Sequence, residues 1–299
     1  MTLKQLEAFY WAATCKNFAV AANRLNISIS SLSKRVAELE SVLGVQLFDR
    51  GARHAVITHL GDRLLPHARA VLTAADQFVQ HAGAATHFAG RCRFGVGELS
   101  SLTWLPAFVD QIQRHYPALV VEPFASVGME IEDSLSSGDL DFAVIAGPST
   151  RAGLASQQIG QSGFTWVARP ALLTRHAGLQ AGQWDGAALI CLPATSGVIR
   201  LLDEWLSTQH VLPERRLTCN TWGAAVGMIK HGLGVGFLPR AWAQALCERG
   251  ELVTLSAFAP LTELRYTFQH RRDDTRPFLA AMRDLAARTI DFNSSNVFT

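Results

Sequence analysis

A chain of 299 residues that is 48% hydrophobic and 17% charged can bury more than one core and is too apolar to stay disordered, so two or three packed domains are expected. Its formal net charge of +2 hides an asymmetry: residues 1–90 hold nine Lys/Arg against six Asp/Glu, and residues 91–299 hold eighteen against nineteen, giving +3 and −1. The basic excess of the shorter part suits a partner that carries phosphates, although an ordinary solvated surface would show the same balance.

Leu3, Leu6, Phe9, Tyr10 and Ala13 recur at helical spacing and predict a first amphipathic helix ending near Lys16 and Asn17. A second follows over residues 18–25, where Phe18, Ala21, Ala22 and Leu25 share a face and the paired alanines admit another helix closely. After a tight turn at Asn26 and Ile27, Ser28 is placed to cap a third helix, whose stripe Leu32, Val36, Leu39, Leu43 ends at Gly44. The opposite side presents Ser30, Ser31, Ser33, Lys34 and Glu38. Two short helices joined by a brief turn, the second opening on hydroxyls and a cation, fit the geometry that lays a recognition helix in the major groove; an ordinary helical hairpin shares the pattern.

Two short strands over residues 45–50 and 54–58 flank Gly51, Ala52 and Arg53 as a hairpin wing. Its Arg50 and Arg53 are candidates for phosphate or minor-groove contact, and otherwise form a solvated basic turn. Thr58 caps a long helix to about Phe88, with the stripe Leu64, Leu65, Ala68, Val71, Leu72, Ala75, Phe78, Val79, Ala82. Such a seam is expected to be buried against the same helix of a second subunit, the alternative being the chain's own core. Pro66, past the first turn, predicts a local kink.

These residues resemble the LysR-type transcriptional regulators. The resemblance rests on Leu3-Lys4-Gln5-Leu6, Phe18-Ala19-Val20-Ala21-Ala22, Leu32-Ser33, Leu39-Glu40, the run from Leu43 to Arg50, and Thr58-His59-Leu60-Gly61. It implies a winged helix-turn-helix over residues 1–58, a linker and dimerisation helix over 59–89, and an effector-binding domain over 90–299. It further implies a homodimer assembling to a homotetramer, double-stranded DNA as partner, and RNA polymerase as a further one if the protein activates. The family's recognition helix usually opens Ser-Gln-Pro-Ala-Leu-Ser; here it reads Ser28, Ile29, Ser30, Ser31, Leu32, Ser33. Ile29 offers only apolar contact, such as a thymine methyl, which shifts base reading toward Ser30, Ser33 and Lys34. Operator preference therefore does not transfer.

Beyond residue 90, strand candidates at 93–96, 120–124 and 140–145 alternate with helical stretches at 102–115 and 129–136, in βαβαβ order. A second series follows, with strands at 164–167, 188–192, 216–220 and 235–238 and helices at 197–209, 222–231 and 240–247. One more strand at 265–269 precedes a final helix from Arg276. The fold class expected is α/β, two lobes resembling periplasmic binding proteins, behind an all-α winged helix-turn-helix. Lobe 1 takes about 90–162 and 266–299 and lobe 2 about 163–265, the chain crossing near 146–163 and 260–265.

Open α/β sheets bind ligands at the carboxyl ends of their strands. The stretch from Glu98 to Thr103 puts hydroxyls and free N–H groups at a strand-to-helix handover, which makes Ser100, Ser101 and Thr103 candidates for holding an effector carboxylate; plain helix capping is the competing role. The resemblance implies effector contacts at that place. Val127, Thr195, Ser196, Thr221, Trp222 and Phe237 occupy similar positions, with Trp222 able to stack an aromatic acid or simply to fill the lobe.

Nothing marks a reaction centre: there is no G-x-x-x-x-G-K-[ST] loop, G-x-S-x-G elbow or H-E-x-x-H pair. Gly232-Leu233-Gly234-Val235-Gly236 follows a helix and precedes a strand, the reverse of a phosphate loop, and reads as a helix stop with tight packing. No cofactor or metal is called for, and an enzyme or a free-standing solute-binding protein are the rival classes. The five cysteines are odd in number with no C-x-x-C pair, so they read as small buried hydrophobes, a redox pair within the C-terminal domain being the alternative. With no signal segment and no run of about 18 apolar residues, a cytoplasmic location is expected.

Overall fold

The computed structural model describes residues 1–49, 55–81 and 88–293. Its first helix, α1 (Leu3–Thr14), opens with a reciprocal cap: Thr2 Oγ1 accepts from Gln5 N at 3.3 Å and Gln5 Oε1 accepts from Thr2 N at 2.9 Å. Asn17 caps α2 (Phe18–Arg24), taking the N–H of Val20 at 2.9 Å. Ser28 caps α3 (Ile29–Leu43), and Gly44 ends it in the left-handed region at φ 69°. The three helices close over Leu6, Phe9, Ala21, Ala22, Leu32, Val36 and Leu39, while Leu43, expected in the stripe, is 41% exposed.

The wing is reduced to β1 (Phe48–Asp49) paired antiparallel with β2 (Val56–Ile57). Arg50 and Arg53 lie outside the described residues. Glu40, on α3, takes the N–H groups of Leu47 and Phe48 at 2.8 and 3.1 Å and so anchors the wing's first strand.

The linker helix α4 (His59–His81) starts on Thr58, whose hydroxyl accepts from Gly61 N at 3.0 Å and donates to Gln46 O at 2.9 Å. It runs through Pro66 unbroken as far as His81, and residues 82–87, over which the stripe was expected to continue toward Phe88, lie outside the described residues. The stripe divides: Leu64, Leu65, Ala68 and Leu72 pack on the head's own core, and Val71 and Phe78 stay 43% and 78% exposed. Ala82 lies outside the described residues.

Lobe 1 begins with β3 (Gly90–Val96), α5 (Glu98–Leu102), α6 (Leu105–His115), β4 (Leu119–Ala125), α7 (Gly128–Ser136), β5 (Phe142–Ala146) and β6 (Leu154–Ser162). Lobe 2 follows with β7 (Phe164–Ala168), α8 (Pro170–Leu173), β8 (Leu189–Cys191), α9 (Ile199–Thr208), β9 (Arg216–Thr218), α10 (Trp222–Lys230), β10 (Gly236–Pro239), α11 (Arg240–Glu248) and β11 (Val253–Thr254). The chain then returns to lobe 1 through β12 (Leu264–Arg271) and α12 (Pro277–Thr289).

The lobe 1 sheet has the order β4-β3-β5-β12-β6, parallel from β4 to β5 and antiparallel where β12 enters. In lobe 2, β7 lies between β10 and β11, and a Leu189–Val235 bridge joins the β8-β9 pair to the same layer. The first crossing narrows from the expected 146–163 to Gly163, because β6 fills 154–162 and pairs with β12. The helix expected over 102–115 begins later, at Leu105, behind a separate short helix over Glu98–Leu102; Thr103 leaves the helical region between them and Pro106 lies in the first turn of α6. The glycines after α10 serve packing: a Cβ on Gly234 would lie 2.3 Å from Ala188 O, and one on Gly236 would lie 2.5 Å from Ile229 Cδ1.

The head is docked on lobe 1 through buried charge. Arg24 Nη2 meets Asp141 Oδ1 at 2.6 Å and Asp274 Oδ2 at 3.4 Å, while Nη1 donates to Gly138 O at 2.6 Å. Arg276 Nη2 bonds both carboxylates at 2.7 Å, and Asp141 also accepts from Arg93 N at 2.8 Å. The Arg24 guanidinium lies 3.9 Å over the Trp11 ring. Backbone bonds complete the contact: Lys16 N to Ser137 O at 3.0 Å, Arg271 Nη1 to Thr14 O at 2.9 Å, and Tyr10 Oη to Asp273 O at 2.7 Å. Burial opposes ionisation of Asp274, and Arg276 and Arg24 outweigh it, holding the carboxyl at about 2.

Candidate DNA-reading face and effector cleft

The start of α3 projects away from the head's core. Ser28, Ser30 and Lys34 are exposed, Ile29 is 52% exposed, and Ser31 and Ser33 are half-buried. Ser28 Oγ accepts from Ser31 N at 3.1 Å and lies 2.9 Å from both the Ser30 and Ser31 hydroxyls, so this serine is committed to capping. Ser30, Ser33, Lys34 and Ile29 remain to meet a groove.

The carboxyl ends of β3, β4, β5 and β8 converge on a cavity of about 400 Å³ between the lobes. Among the expected effector residues, Val127, Ser196, Thr221 and Trp222 line it. Trp222 is only 4% exposed, and its ring is stacked on Phe164 at 5.9 Å and edge-on to Phe237 and Trp242, so it packs into lobe 2. Phe237 sits in the same aromatic core at 3% exposure and is not a cavity residue. Thr195 lies on the outer side of its loop, exposed and apart from the lining.

Ser100, Ser101 and Thr103 also fall outside the lining, because α5 begins at Glu98 and turns them away. Ser101 donates to Glu98 O at 2.7 Å and Thr103 to Leu99 O at 2.7 Å, which is back-bonding to the preceding turn; the helix's N-cap is Gly97, with no side-chain cap. Ser100 is fully buried and its Oγ has no partner. The cavity side of that stretch is Gly97, Glu98 and Leu99.

Glu98 is the residue that sequence patterning missed. It reaches from lobe 1 to lobe 2, where its Oε2 accepts from Trp222 N at 2.8 Å. Burial raises its carboxyl above the ordinary value, against the lowering pull of the Trp222 and Gly223 N–H groups. Thr221 Oγ1 takes the next free amide of α10, that of Ala224, at 3.2 Å. The N-terminus of α10 is thereby satisfied from within the chain, whereas the caps of α7 and α9, Val127 and Val198, supply no side-chain acceptor. A carboxylate among six residues rich in hydroxyls, just after a strand, was the available signal.

The described residues contain no group of three or more His, Cys, Asp or Glu placed to hold a metal, and no helix long and apolar enough to cross a membrane. Burial pushes the Cys15, Cys92, Cys219 and Cys247 thiols up.

A helix pair with a capped, outward-facing second helix, a wing, a linker helix and a two-lobed α/β domain with an interlobe cavity define a DNA-binding regulator with a ligand-binding module. Residues 3–75 match the bacterial regulatory helix-turn-helix protein model of the lysR family, and residues 85–291 match the LysR substrate binding domain. The chain belongs to the LysR family of transcriptional regulators. It is 30% identical over 297 residues to a probable hydrogen peroxide-inducible genes activator of Mycobacterium avium, covering 94% of this chain and 93% of that one. Among solved structures it is similar to an OxyR mutant from Corynebacterium glutamicum (26% identity, TM-score 0.57, 96% and 91% of the two chains). It shares its fold with full-length OxyR from Pseudomonas aeruginosa (21% identity, TM-score 0.63, 98% and 96%).

Proposed function

We propose that the protein works as a homodimer, pairing through the exposed part of α4, that reads a two-fold DNA site with two copies of α3, and that a small organic acid in the interlobe cleft modulates it. The observation that carries this is the outward face of α3, where Ile29, Ser30 and Lys34 stand free of the packed core beneath. Two such faces related by a dyad would contact half-sites one helical turn, about 10 bp, or a multiple of it apart. The N-terminus of α9, which carries no acidic residue in its first turn and no side-chain cap, favours a carboxylate on the ligand.

Two strands offer a route from cleft to head. Ile145 and Ala146 of β5 and Leu264 and Tyr266 of β12 line the cavity, while the opposite ends of the same strands lead to Asp141 on one and to Arg271, Asp274 and Arg276 on the other. These antiparallel neighbours, Tyr266 opposite Ala146, span about 15 Å as a stiff pair. Ligand that favours one lobe arrangement over another would thereby bias head docking by its difference in affinity for the two.

The names of the mycobacterial and OxyR relatives raise peroxide sensing as another signal. Thiolates are the form that reacts with peroxide, and Cys15, Cys92 and Cys191 are buried while burial pushes the half-buried Cys219 and Cys247 thiols up, which supports a bound ligand as the first reading. Footprinting on the DNA upstream of the protein's own gene tests the proposal: two protected half-sites with helical-turn spacing are expected. A single asymmetric half-site, or no protection, overturns it.

A further inference from the structure

We infer that the effector carries a positively charged nitrogen together with its carboxylate, so that the ligand is an amino acid or another amine-bearing acid rather than a plain or aromatic acid. This rests on taking the interlobe cavity as the effector site.

Glu98 and Glu130 are the charged side chains of the cavity wall, and no Lys, Arg or His lines it. Neither carboxylate has an ion-pair partner among the described residues: Glu98 is held by the N–H of Trp222 at 2.8 Å, and Glu130 accepts the hydroxyl of Ser126. Both partners are neutral donors. The contrast within the molecule is instructive, because the buried Asp141 and Asp274 each meet two guanidiniums. Two carboxylates around one cavity, Glu98 half-buried and Glu130 at its exposed edge, repel any ligand whose only charge is negative, and a dicarboxylate most of all.

The opposite wall has the complementary character. The N-terminus of α9 opens on the cavity beside Ser196 and Gly197, with a Val198 cap that contributes no side-chain acceptor. A ligand carboxylate placed there meets backbone N–H groups and a helix dipole, while its nitrogen faces Glu98 and Glu130 across the cleft. Such a ligand touches both lobes, since Glu98 and Glu130 belong to lobe 1 and α9 to lobe 2. It also supplies the cation that Glu98, bridging to α10, lacks.

The test is a thermal-shift screen of the full-length protein followed by calorimetric titration, using L-amino acids and ω-amino acids, each paired with the acid in which hydrogen replaces the nitrogen. At about 10 mM even millimolar binders register. At least one nitrogen-bearing compound should stabilise the protein while its nitrogen-free partner does not. Glu98→Gln, which keeps an acceptor for Trp222 N, and Glu130→Gln should each weaken that ligand on the order of tenfold. Nitrogen-free acids binding as tightly, no nitrogen-bearing compound binding, or both variants leaving affinity unchanged would each overturn the inference. Ser196→Trp, which fills the cavity, separates the two layers of the argument. Loss of binding in it with no effect of the glutamine variants leaves the cleft and removes the nitrogen; binding that persists in it removes the cleft itself.

Discussion

Replacing Arg24 with Met tests the head-docking contact, because Met keeps an unbranched apolar stem and deletes the guanidinium, with its hydrogen bonds and its place over the Trp11 ring. Four bonds disappear, those to Asp141 Oδ1 (2.6 Å), Asp274 Oδ2 (3.4 Å), Gly138 O (2.6 Å) and Leu140 O (3.4 Å), from a side chain that is 9% exposed. Removing one partner of a buried ion pair costs about 3–5 kcal/mol, since the other charge is left without compensation. Asp141 and Asp274 keep Arg276 at 2.7 Å, and Asp141 keeps Arg93 N at 2.8 Å, which places the expected loss near the lower end, about 3 kcal/mol. For a unit of 150–250 residues each kcal/mol moves the melting temperature by about 2–4 °C, so a fall of about 6–12 °C is expected.

Calorimetry gives the magnitude, and amide exchange locates it, because Lys16 N is held by Ser137 O across the contact and should exchange faster in the variant. The pH dependence has a definite sign. Arg24 and Arg276 overcome the burial of Asp141 and Asp274 and lower both carboxyls, Asp274 to about 2. A depressed carboxyl stabilises the fold above its unfolded value near 4 and loses that contribution as pH falls toward 2. In Arg24→Met the loss should set in at higher pH. A melting temperature within about 1 °C of wild type together with unchanged exchange at Lys16 would refute the docking argument.

Gly138→Ala attacks the same contact from lobe 1: φ is +83° and a Cβ would sit 2.9 Å from both Cys15 Sγ and Arg271 Nη1, so faster exchange in α1 and α2 is expected, and unaltered exchange would count against close docking there. Lys34→Ala should weaken binding to the specific duplex by about 1–3 kcal/mol and to a scrambled duplex by less; equal losses on the two would move Lys34 from the bases to the phosphates. Ser28→Ala should cost about 1 kcal/mol of stability through loss of the bond from Ser31 N, measured by denaturant unfolding.

Much of the architecture was legible because the informative residues act locally. Ser28 and Gly44 bound α3 as their capping chemistry requires, and Thr58 starts α4. The strand β6 was missed because its sequence, Leu-Ala-Ser-Gln-Gln-Ile-Gly-Gln-Ser, is an edge strand whose middle faces solvent and so shows no apolar run. The linker stripe was legible as apolar, but local periodicity cannot say which half packs on the head and which stays exposed.

The cleft was the least legible part. Its position follows from strand order, yet the residues that face it depend on where α5 begins, and a start at Glu98 turns Ser100, Ser101 and Thr103 inward. The docking of Arg24 on Asp141 and Asp274 joins positions more than a hundred residues apart, and no local pattern carries that information.

Specific DNA binding is the claim on which the rest depends. Fluorescence anisotropy of a duplex from the region upstream of the protein's own gene, titrated beside a scrambled duplex at fixed moderate salt, measures it directly. The account predicts an affinity at least about a thousandfold higher for the upstream duplex, with Lys34→Ala narrowing the difference. Equal affinity for the two duplexes, or no binding even at low salt, would contradict it.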